Sequence, residues 1–277
     1  MAGNLGFAQV VNEPKDVPAV YSEPYPPFRI AGQLYYVGTA ELACYLIVTP
    51  KGNILINSGL ASSFDRIRAA IARLGFRLSD VKVLLTTQAH YDHMGAMAEI
   101  QKATSAEMMV EEADVPIVND GGSSDYTMGG HGSLFKPVKV GRVLHNGDTI
   151  RLGGINLVVL HHPGHTKGSC SYLLTVNDAR RSYTVLIANM PSVVTSKKFS
   201  EIAEYPNIAA DYEYTFRAMK SLKFNIWLAS HASQFGLQKK HTAGTSAYDP
   251  LAFADQKGYD VALGELQAEF ERHLAGG

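Results

Sequence analysis

A layered α/β sandwich is the fold this sequence predicts, on three observations. Short apolar strand patterns gather in each half of the chain, amphipathic helical stretches lie between and after them, and several apolar runs end abruptly in loops rich in His, Asp and Gly. Strands covered by helices form layers around one apolar core. With 277 residues, 46% hydrophobic and 18% charged, the chain is long enough to bury such a core. No low-complexity tract, charge block, repeat or flexible linker divides it. Residues 21–277 are therefore expected to form one domain behind an N-terminal extension over 1–20.

From Leu34 to Asn57 the runs LYYVG, ELACYLIV and NILIN, with a Pro50-Lys51-Gly52 turn, predict an antiparallel meander. A helix should follow, capped by Ser62 or Ser63, with Phe64, Ile67, Ile71 and Leu74 at helical spacing and Gly75 as its stop. The buried strand VKVLLTT then runs into the polar segment QAHYDHMG. In the second half, TIRL and INLVVLHH read as a hairpin over Gly153-Gly154, and SCSYLLTV with YTVLIAN as another. Asp211 to Leu222 reads as a helix with Tyr212, Phe216 and Met219 on one face. It leads into the strand NIWLAS, and a last helix, Asp255 to Leu274, aligns Tyr259, Leu263, Leu266 and Phe270.

Composition excludes several function classes. The 25 basic and 26 acidic residues leave a net charge of −1, which provides no broad field for nucleic acid, and no run reaches the roughly 18 apolar residues of a membrane span. A small-molecule substrate, with no nucleic-acid or membrane partner, fits better. Cys44 and Cys170 each lie in an apolar run and are expected as buried free thiols. The opening MAGNLGFAQV lacks the charged and apolar regions of a secretory signal.

The chemistry concentrates at Gln88-Ala89-His90-Tyr91-Asp92-His93, directly after a strand. Imidazole nitrogen and carboxylate oxygen are zinc donors by type. Surface histidines and a helix-capping Asp would give the same letters. Two further histidines, His165 in Pro163-Gly164-His165-Thr166 and His231 after NIWLAS, also end apolar runs, where side chains from distant stretches converge on one cleft. Gly95, Gly164 and Gly168 allow tight turns beside them.

Over nearly its whole length, from PPFRIAGQLYYVGTAELACYLIVTPKGNILINSG through QAHYDHMGA, GGSSDYTMG, HHPGHTKGS and LIANMPSVV to SHASQFGLQKK, the chain resembles the metallo-β-lactamases of subclass B3, in particular the GOB-type variant with Gln at the first ligand position. The resemblance implies the metallo-β-lactamase fold, a four-layer αβ/βα sandwich. It implies one or two zinc ions, one held by Gln88, His90 and His165 and the other by Asp92, His93 and His231. It implies hydrolysis of the β-lactam amide of penicillins, cephalosporins and carbapenems by water that zinc activates, with Asp92 and His93 at the chemistry. A monomer, a periplasmic location and a part in antibiotic resistance are further expectations.

Gln88 departs from the superfamily's usual His-x-His-x-Asp-His loop. Its amide offers a neutral carbonyl oxygen, so the first position should bind metal more weakly than the second. At Ala188-Asn189-Met190 the bridging Asp of other hydrolases with this fold is missing; Met190 is expected as an apolar wall, since a thioether is a poor zinc ligand. Ser192 is a candidate donor to the substrate carboxylate. Tyr21 and Tyr25 in the Pro-rich N-terminal segment, and the loop GGSSDYTMGG at 121–130, are candidate cleft walls, although an ordinary surface loop has the same composition. His131, His145, His241 and His273 are expected on the surface, and His161 or His162 could orient a ligand. No Ser-x-x-Lys at a helix start comes with the other serine-β-lactamase elements. The alternatives are a hydrolase of this fold acting on a thioester, lactone or phosphodiester, or a silent metal-binding scaffold.

Overall fold

The computed structural model describes residues 10–245 and 247–276, so the first nine residues of the expected N-terminal extension lie outside it. Two sheets carry the fold. The first contains seven strands in chain order: β1 (Phe28–Ala31), β2 (Leu34–Tyr36), β3 (Tyr45–Ile47), β4 (Asn53–Ile56), β5 (Val81–Leu85), β6 (Glu107–Glu111) and β7 (Val140–Leu144). β1 to β4 form the antiparallel meander; β4 to β7 run parallel. Parallel neighbours need a crossover, and helices provide it: α1 (Phe64–Arg73) between β4 and β5, α2 (Tyr91–Met94) and α3 (Met97–Thr104) between β5 and β6, and α4 (Val115–Asp120) after β6.

The second sheet holds β8 (Thr149–Leu152), β9 (Ile155–His161), β10 (Cys170–Asn177), β11 (Ser182–Ala188) and β12 (Ile226–Ala229), with β12 at one edge next to β11 and β8 at the other. Both hairpins form, with Leu152 opposite Ile155 and Asn177 opposite Ser182. β11 and β12 pair in parallel across α5 (Ile208–Lys220). The short α6 (Leu237–Lys240) and the long α7 (Gln256–Leu274) complete the chain.

The period of two along each strand sorts side chains into layers. On β4, Ile54 and Ile56 face the core between the sheets, where Tyr36, Tyr45, Leu157, Val159, Tyr172 and Leu174 also lie. Leu55 joins Leu84 and Met108 on the opposite face, against Ile67 and Ile71 of α1 and Met97 and Ile100 of α3. Tyr212, Phe216 and Phe270 bring α5 and α7 onto the second sheet. Helices, sheet, sheet, helices is the αβ/βα sandwich.

Several expectations need correction. Ser63 precedes α1 but its side chain makes no capping bond; a 3-10 turn over Ala61–Ser63 leads in instead. The run ELACYLIV pairs as a strand only over Tyr45–Ile47, because residues before it bond elsewhere: Ala40 N–H to Glu23 O, and Ala43 N–H to Ser230 O. His241 is not a surface group: it is 7% exposed and stacks on Phe28 with ring centroids 3.6 Å apart. Cys44 and Cys170 are buried free thiols. Among the described residues no helix is long and apolar enough to cross a membrane.

Gly95, directly after α2, lies so close to the Leu60–Ala61 backbone that a Cβ there would sit 2.3 Å from Ala61 N. Gly95→Ala is expected to destabilise the protein by about 1–3 kcal/mol, the usual cost of forcing extra volume into a packed site. Urea unfolding checks this; an unchanged midpoint would show that α2 has room to shift.

Candidate metal centre

The segment after β5 turns away from the sheet at Thr86 and Thr87. Asn57, at the end of β4, makes that turn: in the left-handed region at φ 62°, its Oδ1 accepts the Thr87 N–H at 2.9 Å while its Nδ2 donates to Ala43 O at 3.3 Å. His90 follows in extended conformation as the residue before α2, so Asp92 and His93 occupy the first turn of that helix. Ser58 secures it by donating both its N–H (2.8 Å) and its hydroxyl (3.0 Å) to His93 O.

His165 arrives from the second sheet through the turn after β9. Gly164 is required there, with φ +130°, since a Cβ would lie 2.7 Å from the Tyr212 ring. His231 follows β12 and is stitched to the segment before β3, with Leu42 and His231 forming an isolated bridge and Ala232 N–H donating to Glu41 O at 2.7 Å.

One buried carboxylate joins the first two loops. Asp114 accepts from Ala89 N–H (3.0 Å), Thr166 Oγ1 (2.7 Å) and Gly168 N–H (2.7 Å). Burial pushes its carboxyl up to about 6 even against those donors.

These loops bring the expected ligands together. Asp92, His93 and His231 each offer a donor atom within 4.8 Å of the others. Asp92 Oδ2 lies 3.4 Å from His93 Nε2 and 3.5 Å from His231 Nε2. The rings of His90 and His165 stand 4.9 Å apart. Gln88, His90, Asp92, His165 and His231 line one cleft of about 300 Å³, with Tyr21, Met128, Met190 and Ser192 on its walls. Tyr25 does not reach it: its hydroxyl donates to His241 O at 2.7 Å, and its ring packs edge-on against Phe28 and Tyr36. His161 pairs with Glu111 at 3.0 Å and His162 with Ser171 Oγ at 2.7 Å, so neither hydrogen-bonds a ligand in these contacts.

Electrostatics prepare the donors. Burial, and then neighbouring imidazoles, push His165 down to about 3, and burial lowers His93 to about 3 despite Asp92. For Asp92, burial raises the carboxyl, but His93, His231, His90 and His165 outweigh it and hold it below its ordinary value. Burial thus disfavours charge on His93 and His165 while Asp92 is held toward its ionised form, both in the direction of the protonation state a metal needs.

The residues fit a bound cation on a further observation. Gln88 Oε1 and both ring nitrogens of His93 are buried without a hydrogen-bond partner. A buried unsatisfied polar atom costs about 1–3 kcal/mol; a cation among Asp92, His93 and His231 would satisfy one of the His93 nitrogens, and one beside His90 and His165 would satisfy Gln88 Oε1. Sequence reasoning missed Glu41, Asn57, Asp114 and Asp125, which support the ligands. Only Glu41 and Asp125 gave any signal, as lone acids inside the runs ELACYLIV and GGSSDYTMGG.

Residues 42–178 match the family model of the metallo-beta-lactamase superfamily. Across solved structures, the class B3 di-zinc metallo-β-lactamase LRA-12 from an Alaskan soil metagenome is 59% identical, covers 95% of this chain and 100% of its own, and superposes with a TM-score of 0.94. The chain belongs to the class B3 metallo-β-lactamases. The metallo-β-lactamase GOB-18 from Elizabethkingia meningoseptica is 53% identical over 98% of this chain and 100% of its own, with a TM-score of 0.96. A hydroxyacylglutathione hydrolase of Rhodopseudomonas palustris is 31% identical over 48% of the chain, and the match spans under half, 47%, of that protein's length. The enzyme is therefore a hydrolase built on the αβ/βα sandwich, and zinc is its metal.

Asp114→Ala would strand three donors and untie the Gln88–His93 loop from the His165 loop. A loss of about 3 kcal/mol in unfolding free energy is expected, together with weaker zinc binding. Denaturant unfolding of the metal-free protein and chelator competition read the two effects separately.

Proposed function

We propose that this enzyme hydrolyses the amide bond of β-lactam antibiotics with zinc held by Asp92, His93 and His231, and with a second, weaker position at Gln88, His90 and His165. The observation that carries the reading is that five of these side chains line one cleft, with His93 buried against Asp92 and His231, in a chain whose 59% and 53% identical relatives bear the name metallo-β-lactamase. Two imidazoles and a carboxylate form the three-protein-ligand set of a catalytic zinc with one position open. Bound there, zinc would act as a Lewis acid and bring the pKa of water from about 16 toward neutrality.

The chain's own groups would do the rest. Asp92 Oδ2 faces His93 and His231, which leaves the other carboxylate oxygen to accept a hydrogen bond and then a proton from the attacking water. Among the described residues that line the cleft, none is Lys or Arg. The substrate's carboxylate must then be met by neutral donors. Ser192 suits this role: its backbone oxygen and its Oγ both lie within 3.1 Å of His165 Nδ1. With Oγ accepting there, its hydroxyl proton is free to donate outward. Met190, 1% exposed, would form an apolar wall beside the metal, and Tyr21 would cover the mouth, its ring centroid 5.8 Å from that of His231.

A thioether at Met190 in place of an anion between the metal positions weighs against the thioester and lactone rivals. All six ligands come from one chain, which favours a working monomer. β-Lactams attack cell-wall synthesis outside the cytoplasmic membrane, so the periplasm is where this activity would confer resistance.

EDTA is expected to abolish turnover of a chromogenic cephalosporin and of imipenem, and one equivalent of zinc to restore it. Activity that returns only with the second equivalent would refute the single-zinc reading, and absent β-lactam turnover with rapid thioester hydrolysis would refute the substrate. Gln88→His should tighten the weaker position without abolishing activity. For Ser192→Ala, loss of a hydrogen bond to a charged group predicts a rise in KM of about tenfold with little change in kcat. Steady-state kinetics on a carboxylate-bearing substrate measure that split.

A further inference from the structure

Each imidazole that binds a metal has a second nitrogen, and the group facing that nitrogen decides which tautomer the ring adopts. In His231, Nδ1 lies 3.3 Å from Glu41 Oε1 while Nε2 lies 3.5 Å from Asp92 Oδ2. In His90 the outward atom is instead Nε2, 3.3 Å from Asp125 Oδ2. An ionised carboxylate only accepts. In His90 the proton therefore sits on Nε2, with Nδ1 turned away from Asp125; in His231 both nitrogens face a carboxylate, and the shorter contact, to Glu41, favours the proton on Nδ1.

Both carboxylates are themselves held. Glu41 accepts from the Ser233 hydroxyl at 2.6 Å and the Ser233 N–H at 3.2 Å. Asp125 turns its other oxygen to the N–H groups of Thr127 at 2.9 Å and Met128 at 2.7 Å. One comes from the segment before β3 and the other from the loop at 121–130, so neither depends on the other.

We propose that Glu41 and Asp125 are positioning residues that preset His231 and His90 in opposite tautomers, one carboxylate for each half of the metal centre. The loop at 121–130 thereby gains a role beyond that of a wall: it carries the group that orients a ligand. This rests on the six-ligand assignment above. Glu41 makes His231 a stronger donor at the Asp92–His93–His231 position, and Asp125 does the same for His90 at the position where Gln88 supplies only an amide oxygen.

Two measurements test it. Long-range 1H–15N spectra of the metal-free enzyme should show His231 protonated at Nδ1 and His90 at Nε2, and Glu41→Ala should shift His231 alone toward a tautomer mixture. Chelator competition should show that Glu41→Ala lowers zinc affinity at the Asp92–His93–His231 position by about 10–100-fold, the usual effect of losing such a partner. Glu41→Gln, which preserves size and can still accept one of the two Ser233 hydrogen bonds, should lose affinity in the same direction and serves if the Ala variant does not fold. Asp125→Asn should leave that position within about twofold and weaken the other, read in a Gln88→His background where it fills. Unchanged tautomers and affinities in folded variants would overturn the proposal, as would either variant weakening both positions equally. His231→Ala separates this from the ligand assignment: if zinc affinity survives its loss, the assignment itself falls and the proposal with it.

Discussion

The contacts of Asp114 with Ala89, Thr166 and Gly168 hold the site in one piece. Gln88–His93 belongs to the first sheet and His165 to the second. Two packed sheets can slide by fractions of an ångström without losing apolar burial, because the hydrophobic effect is not directional. A carboxylate with three donors from both sides is directional, and it converts sheet packing into a fixed spacing between ligands. The bridge between Leu42 and His231 does the same for the third loop.

A site so fixed is unfavourable when empty. Imidazoles kept neutral by burial, a carboxylate kept ionised and an amide oxygen without a donor all present electron pairs to one small volume. The apolar cores on either side of the first sheet must supply the stability that this arrangement costs. An ion that binds only the folded state returns part of it by mass action. Zinc binding and folding stability are therefore coupled in this molecule, and the coupling runs through the shell around the ligands as much as through the ligands themselves.

The sequence made the layers and the donors legible but not their supports. Strands β8 to β11 announce themselves because glycine turns and period-two apolar runs are local signals. β6 and β7 and the helices α3 and α4 are not legible in the sequence, since EMMVE and VGRVL are five-residue runs interrupted or bounded by charge. The ligand histidines stood out because each ends an apolar run. Asn57 and Asp114 did not, since an Asn or Asp beside a strand is ordinary, and their importance lies in distant partners, such as Thr87, 30 positions from Asn57, and Ala89, 25 positions from Asp114. Tyr25 shows the converse: placed by composition at the cleft, it is drawn instead to His241, which offers both an acceptor and an aromatic face.

In the proposed assignment, the distribution of charge separates the two metal positions. Gln88, His90 and His165 bring no formal charge, whereas Asp92 brings one to its own set, and Met190 puts no anion between them. Two divalent ions held about 4 Å apart would repel by roughly 17 kcal/mol at an effective dielectric of about 20. A bridging carboxylate would cancel that repulsion at the midpoint. Here the compensating carboxylates stand behind the histidines, Asp125 beyond His90 and Glu41 beyond His231, where each favours its own ion but does little for the pair. On that proposal, such a centre would fill its carboxylate-bearing position first and gain least from a second ion, because the charge that would welcome a pair lies at the periphery.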